Sequence, residues 1–189
     1  TDLEEMYVAD GQEYWVHTVK VPLKDDGGRV VGIQGIFWDI TAEKQAQQEL
    51  LQTKEKLEHF LNSTDDLVTQ VDENGNFLYL NNTARRIYGL KPEQCIGKPS
   101  FEFIHPDDRE DTMASFQEWI GLKKESASFE NRQVSADGKI TDMLWTVNPS
   151  YTAKGEVESI WSVARDITER KKAEQKVAET EERFALAMK

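Results

Sequence analysis

Cysteine is almost missing: Cys95 is the only one in 189 residues. No disulfide can form within the chain, and no thiolate cluster can hold a metal. Histidine is nearly as scarce, and His17, His59 and His105 are too scattered for metal-ligand spacing. No apolar run approaches the roughly 18 residues that cross a bilayer. The N-terminal Thr-Asp-Leu-Glu-Glu lacks the basic-then-apolar order of a signal peptide. Positive charge is in deficit, with 23 Lys and Arg against 35 Asp and Glu, for a net charge of -12. Phosphate backbones and anionic lipid headgroups repel such a chain, so neither nucleic acid nor a membrane surface is expected as a partner. There is no Gly-rich phosphate loop and no supported Ser/His/Asp arrangement, so no catalytic residue is assigned and the chain itself is expected not to be an enzyme. These absences suit a cytoplasmic location, alone or within a larger membrane-associated protein.

What is present is a repeat. Asp39-Ile40-Thr41 returns as Asp166-Ile167-Thr168, an offset of 127 residues. At that offset, without a gap, Asp10-Gly11 matches Asp137-Gly138, Pro22 matches Pro149, Gly28 matches Gly155 and Ile33 matches Ile160. Lys44, Ala46 and Gln48 match Lys171, Ala173 and Gln175. Residues 3–50 therefore repeat 130–177, and the front of the first copy would lie before residue 1. Both ends read as cuts within a longer protein.

Strands are expected at 14–21 and 29–39, around the turn Asp25-Asp26-Gly27-Gly28, and at 141–148 and 157–165, joined through Ala153-Lys154-Gly155. Upstream, 67–72 and 77–80 flank Glu73-Asn74-Gly75-Asn76, a further hairpin. Short helices follow at 82–88, ended by Gly89, and at 92–96. A longer one is expected at 107–122, with Met113, Phe116 and Ile120 on one face. The complete unit is two strands, a block of helices, then three strands. Alone, the three strands of the partial copy would leave Val31, Ile33 and Phe37 uncovered, so they either pair with another chain or are disordered or swapped.

Residues 42–61 contain neither Pro nor Gly and favour helix. Ala46, Leu50, Thr53, Leu57 and Phe60 are spaced 4, 3, 4, 3, a heptad seam, and the repeat gives Ala173, Val177, Thr180, Phe184 and Ala187 the same register. Each seam predicts either a parallel homodimer through the helical linkers or a helix packed on its own sheet. Each linker begins at the triplet. Thr41 and Thr168 are expected to cap it through their hydroxyls, Glu43 and Glu169 to favour its positive end, and Asp39 and Asp166 to bond across the junction.

The order Asn81-Asn82-Thr83-Ala84, Tyr88-Gly89-Leu90, Gly97-Lys98, Ile104-His105-Pro106-Asp107-Asp108, Asp137-Gly138 and Arg165-Asp166-Ile167-Thr168 resembles the PAS family. The resemblance implies an α+β fold, a five-stranded antiparallel sheet with short helices on one face, here with flanking linker or coiled-coil helices. It divides the chain into strands of a partial PAS domain at 1–41, a linker helix at 42–61, a complete PAS domain at 62–168, and at 169–189 a linker helix leading to a further one. It implies a sensory or signal-relay module of a multi-PAS sensor protein, with a histidine kinase parent, and neighbouring PAS and kinase domains in the same chain as partners. The alternatives are a receptor for a small molecule or cofactor, or an interaction domain of a cyclic-dinucleotide enzyme.

No cofactor is predicted. Haem-binding members commonly use a His on the long helix, and 107–122 has none; His105 precedes Pro106 and suits a helix start. Flavin-adduct members need a reactive Cys after the glycine, where this chain has Ser100 after Gly97; Cys95 precedes it and suits packing. An unknown small ligand remains a candidate partner, with Tyr88, Met113, Phe116 and Ile120 as candidate pocket lining. Asp39, Thr41, Asp166 and Thr168 are the candidate signal junctions.

Overall fold

The computed structural model describes residues 2–188, apart from the side chain of Ala187. The chain divides into two compact units, residues 1–57 and 58–189.

The first unit is a three-stranded antiparallel sheet, β1 (Asp2–Ala9), β2 (Gln12–Lys24) and β3 (Val30–Asp39), ordered β1-β2-β3. β1 and β2 meet in a two-residue turn, Asp10-Gly11, with φ of 52° and 77°. Both residues sit in the left-handed region that a primed hairpin turn requires. Val31, Ile33 and Phe37 are exposed, Phe37 to 74%. This unit is therefore a paired sheet whose Val31, Ile33 and Phe37 stay uncovered within the described residues.

Helix α1 (Thr41–Asn62) runs continuously into the second unit. It buries no residue, and Leu50, Leu57 and Phe60 stand exposed.

The second unit carries a five-stranded antiparallel sheet in the order β5-β4-β8-β7-β6. Its strands are β4 (Leu67–Val71), β5 (Phe77–Leu80), β6 (Ala127–Val134), β7 (Ile140–Tyr151) and β8 (Val157–Asp166). Helices α2 (Ala84–Tyr88), α3 (Pro92–Cys95) and α4 (Arg109–Gly121) lie between β5 and β6, with 3₁₀ turns at Ser100–Phe103 and Pro106–Asp108. The second linker helix is α5 (Thr168–Ala187); the expected end at 189 lies outside the described residues.

The core forms where one sheet face meets the helices. Leu67, Phe77, Met143, Trp145, Ile160 and Ala164 from the sheet pack with Ala84, Ile87, Tyr88, Cys95 and Trp119 from the helical segment. Phe77, Tyr88 and Phe103 form an aromatic cluster, with Tyr88 and Phe103 centroids 4.5 Å apart. The turn before β5 needs its glycine: Gly75 has φ of 81°, and a Cβ there would lie 2.9 Å from the Phe101 ring.

Two sequence expectations shift. The apolar alternation of β6 stops halfway, because Ala127 and Phe129 are followed on the same inward face by Asn131 and Gln133, which are polar and buried. The long helix turns a different face inward. It buries Thr112 and Trp119 with Phe116 between them, and leaves Met113 39% exposed. The bulk of Trp119 sets that face, and it is rotated by about one residue from the stripe that the apolar spacing suggests.

Candidate functional site

Two features stand apart from ordinary packing: the strand-to-helix junctions and a cavity under the helices.

At each junction a strand ends and a helix begins within two residues, which leaves first-turn N–H groups without helical partners. In the second unit Asp166 Oδ1 accepts the Thr168 N–H at 3.0 Å. The Ile167 N–H donates to the carbonyl of Asp142 at 2.9 Å, and the Asp142 N–H donates to Thr168 Oγ1 at 3.0 Å. One residue of β7 is thus gripped through both its backbone groups by the helix start. In the first unit Asp39 Oδ1 accepts the Thr41 N–H at 2.8 Å, the Ile40 N–H donates to Trp15 O at 2.8 Å, and the Trp15 N–H donates to Thr41 Oγ1 at 2.9 Å. Trp15 and Asp142 are themselves 127 apart. Ile40 and Ile167 are both buried.

The expected division of labour is corrected here. The threonine hydroxyls do not cap the helices; they bind the neighbouring strand, and the aspartates take the first helical N–H. The threonine hydroxyl, on the first helical residue, reaches the neighbouring strand, while the aspartate carboxylate two residues earlier takes the helical N–H.

Charge reinforces both junctions. Lys171 reaches Glu130 at 2.9 Å and Asp142 at 3.3 Å. Its counterpart Lys44 pairs with Glu4 and lies 5.7 Å from the centroid of the Trp15 ring. In the second unit Arg86 of α2 binds Asp166 Oδ2 at 3.1 Å. Burial pushes the Asp166 carboxyl up, but the hydrogen bonds from Thr168 and the Arg86 guanidinium together outweigh it and hold it below the ordinary carboxylate range. The Asp39 carboxyl is also held low, by the side chain and backbone of Thr41.

A carboxyl held low in the folded chain adds stability above its ordinary value, near 4, and loses that contribution as pH falls through its lowered value. The first turn of α5 is therefore expected to loosen below about pH 4. Amide exchange at Thr168 and Lys171, normalised for intrinsic rate, checks this. Asp166→Asn should remove most of the pH dependence at those two amides.

The cavity lies between the sheet and the helices and measures about 60 Å³. Tyr88, Phe77, Phe101, Phe116, Trp145 and Ile160 are among its walls. Of the four candidate lining residues, Tyr88 and Phe116 reach it. Met113 is exposed instead, and Ile120 packs against the core without lining the cavity. The polar part of the wall carries no motif that marks it in the sequence. Asn131 Oδ1 accepts from Trp145 Nε1 and from Gln133 Nε2, both at 2.8 Å. Asn131 Nδ2 donates to Thr112 Oγ1 at 3.4 Å, and Tyr88 OH donates to Gln133 Oε1 at 3.4 Å. Burial pushes the Tyr88 phenol far above its usual range, so it stays protonated as a donor. No charged side chain lines the space. The signal that could have found this network is an Asn and a Gln two residues apart in a strand, which share one face.

The other candidates fall outside both features. His105 Nδ1 accepts from the Asp107 N–H at 3.3 Å, a local turn contact. Cys95 is fully buried, and burial pushes its thiol up, which makes it unreactive. Among the described residues no group of three or more His, Cys, Asp or Glu could hold a metal, and no helix is long and apolar enough to cross a membrane.

With this geometry in place, residues 55–167 match the PAS fold family, and residues 1–45 match a second PAS fold model. The chain belongs to the PAS family. Among its relatives is a two-component sensor, PprA, of Pseudomonas aeruginosa, 24% identical over 176 residues, covering 91% of this chain and 19% of that protein. Another is a probable diguanylate cyclase, DgcE, of Escherichia coli, 26% identical over 148 residues, covering 77% of this chain and 13% of that protein. The chain thus spans a fifth or less of the length of these curated relatives. Among solved structures, a sensory box histidine kinase/response regulator from Burkholderia thailandensis superposes with a TM-score of 0.56 at 18% identity, covering 69% of this chain and 98% of that one. That likeness establishes the PAS fold, with its five-stranded antiparallel sheet and short helices.

Proposed function

We propose that the chain is a signal-relay module of a multi-PAS sensor protein, most simply a histidine kinase, working as a homodimer through its helical linkers. One observation carries this: both strand-to-helix junctions grip their neighbouring strand through the same set of hydrogen bonds. A joint that fixes the helix start to the sheet at its backbone transmits sheet movement with little slack. The helices that follow expose Leu50, Leu57 and Phe60, and then Val177 and Phe184, at heptad positions, surfaces that a parallel partner would bury. Ala187 belongs to the second seam by sequence, and its side chain lies outside the described residues. The kinase and cyclase relatives support a sensor parent of either output class. The chain itself then carries no catalytic step.

Sedimentation equilibrium at micromolar concentration tests the reading. A dimer is expected, and Leu50→Glu with Leu57→Glu should weaken it at least about tenfold, since two charges would enter an apolar seam. A wild-type chain that stays monomeric up to about 100 μM, well above the usual range for specific association, would count decisively against it.

A second reading, a receptor for a small molecule, is favoured by the buried Asn131–Gln133–Tyr88 network. The wall carries hydrogen-bonding groups and no charge, which suits a small neutral ligand. The space is well below the roughly 300 Å³ of ordinary ligand sites, so anything bound there must be only a few atoms in size or must push Phe116 aside.

A further inference from the structure

The second unit holds a series of contacts, away from the cavity, that runs from the end of one linker helix to the start of the other through the residues between them. The end of α1 is tied to the start of the helical block. Asn81 Nδ2 donates to Leu61 O at 2.8 Å, the Asn82 N–H donates to Asn62 Oδ1 at 2.7 Å, and Thr83 Oγ1 donates to Thr64 O at 3.1 Å. The chain that follows is tied to the start of α5. Arg86 Nη2 donates to Asp65 O at 2.7 Å while its Nη1 holds Asp166 Oδ2 at 3.1 Å. Arg165 forks onto Asp66 through Nε at 3.1 Å and Nη2 at 2.9 Å. Strand pairing places these groups together, since Leu67 of β4 sits opposite Ala164 of β8. The last residues before β4 and the last residues of β8 are therefore neighbours, and both arginines span them.

Each arginine holds one group on each side, or is itself one side of the pair. Asp166 divides its oxygens between Arg86 and the first N–H of α5. A displacement of the chain at 62–66 thus reaches the cap of α5 through a single guanidinium. Guanidinium groups suit this because their donors lie in one rigid plane, so that moving one contact reorients the other.

We propose that Asp65–Asp66, Arg86 and Arg165–Asp166 form a clasp that couples the end of the incoming linker helix to the first turn of the outgoing one, with Arg86 and Arg165 as positioning residues. The proposal rests on the relay reading for its purpose, but the coupling is a property of this chain alone. It gives the module a route along which a signal from an upstream domain passes through without any change in the cavity. A cavity ligand and an upstream signal then act on the same Asp166 by separate routes.

Amide exchange on the whole chain tests it. Asn62→Ala removes the exposed acceptor for the Asn82 N–H at the end of α1, more than a hundred residues in sequence from α5. It is expected to raise exchange at Thr168 and Lys171 about threefold, the size of one weakened hydrogen bond. In a background of Arg86→Gln with Arg165→Gln, where the clasp is open, adding Asn62→Ala should change those amides no further. Core amides of Trp145 and Val147 should not move in any of the variants. The proposal is overturned if Asn62→Ala leaves α5 unchanged, if it acts equally in the arginine-free background, or if the core amides accelerate by the same factor. A chain that is monomeric by sedimentation yet shows the coupling would remove the dimeric relay and leave the clasp standing.

Discussion

Replacing Asn81 by alanine is expected to destabilise the second unit by about 2–4 kcal/mol, the cost of orphaning a buried donor together with two further hydrogen bonds. Asn81 is almost fully buried and serves three backbone groups. Its Oδ1 accepts the Val68 N–H at 3.0 Å, and its Nδ2 donates to Leu61 O at 2.8 Å and Asp66 O at 3.0 Å. The Val68 N–H is buried and loses its acceptor once the side chain is gone, whereas the bonds to the Leu61 and Asp66 carbonyls are only part-buried. Urea unfolding checks the magnitude. The midpoint should fall with the slope unchanged, because the surface exposed on unfolding is the same. A loss under about 1 kcal/mol would mean that water enters and replaces the amide.

Phe77→Ala is expected to cost more, about 3–5 kcal/mol, as for other buried aromatic truncations. Phe77 is 1% exposed, contacts Tyr88 and Phe103 by its ring, and forms part of the cavity wall. Its removal merges a phenyl-sized void with the existing space. For a unit of this size the melting temperature should drop by roughly 10 °C or more. The enlarged void is apolar on that side, so benzene-saturated buffer should restore part of the loss in the variant and do little for the wild type. Restoration absent in the variant would show that the helices collapse onto the sheet instead.

These effects reflect what the sequence makes visible and what it hides. The hairpins at Asp25–Gly28 and Asn74–Gly75 are legible because glycines and Asx side chains allow few other conformations. The linker helices are legible because their heptad spacing survives in two copies. The triplet marks the junctions, but the geometry of its threonine does not follow from cap preference. The strand residue that Thr168 binds, Asp142, is 26 positions away. Met113 misleads for a related reason. Hydrophobic spacing weighs methionine above threonine, while the packed face is decided by Trp119 and by space that admits Thr112 beside Asn131. The cavity network is the least legible part. A strand whose inward face passes from Ala127 and Phe129 to Asn131 and Gln133 reads as turning to solvent halfway until the helix that covers it is known.

The two-residue turn at Asp10-Gly11 sets a ladder register that differs from that of the β6–β7 pair. In the second copy the corresponding strands are joined by residues 135–139, and Asn131 stands opposite Met143, on the cavity side. In the first copy Glu4, the counterpart of Asn131, stands opposite His17, whose own counterpart is Leu144. The ladder has slipped by one residue with no insertion or deletion in the sequence. A one-residue slip turns every side chain of the edge strand to the other face. Relative to β2, Glu4 therefore faces the side of its sheet opposite to the one that Asn131 takes relative to β7, while the β2–β3 and β7–β8 ladders that lead to the two junctions keep the same register.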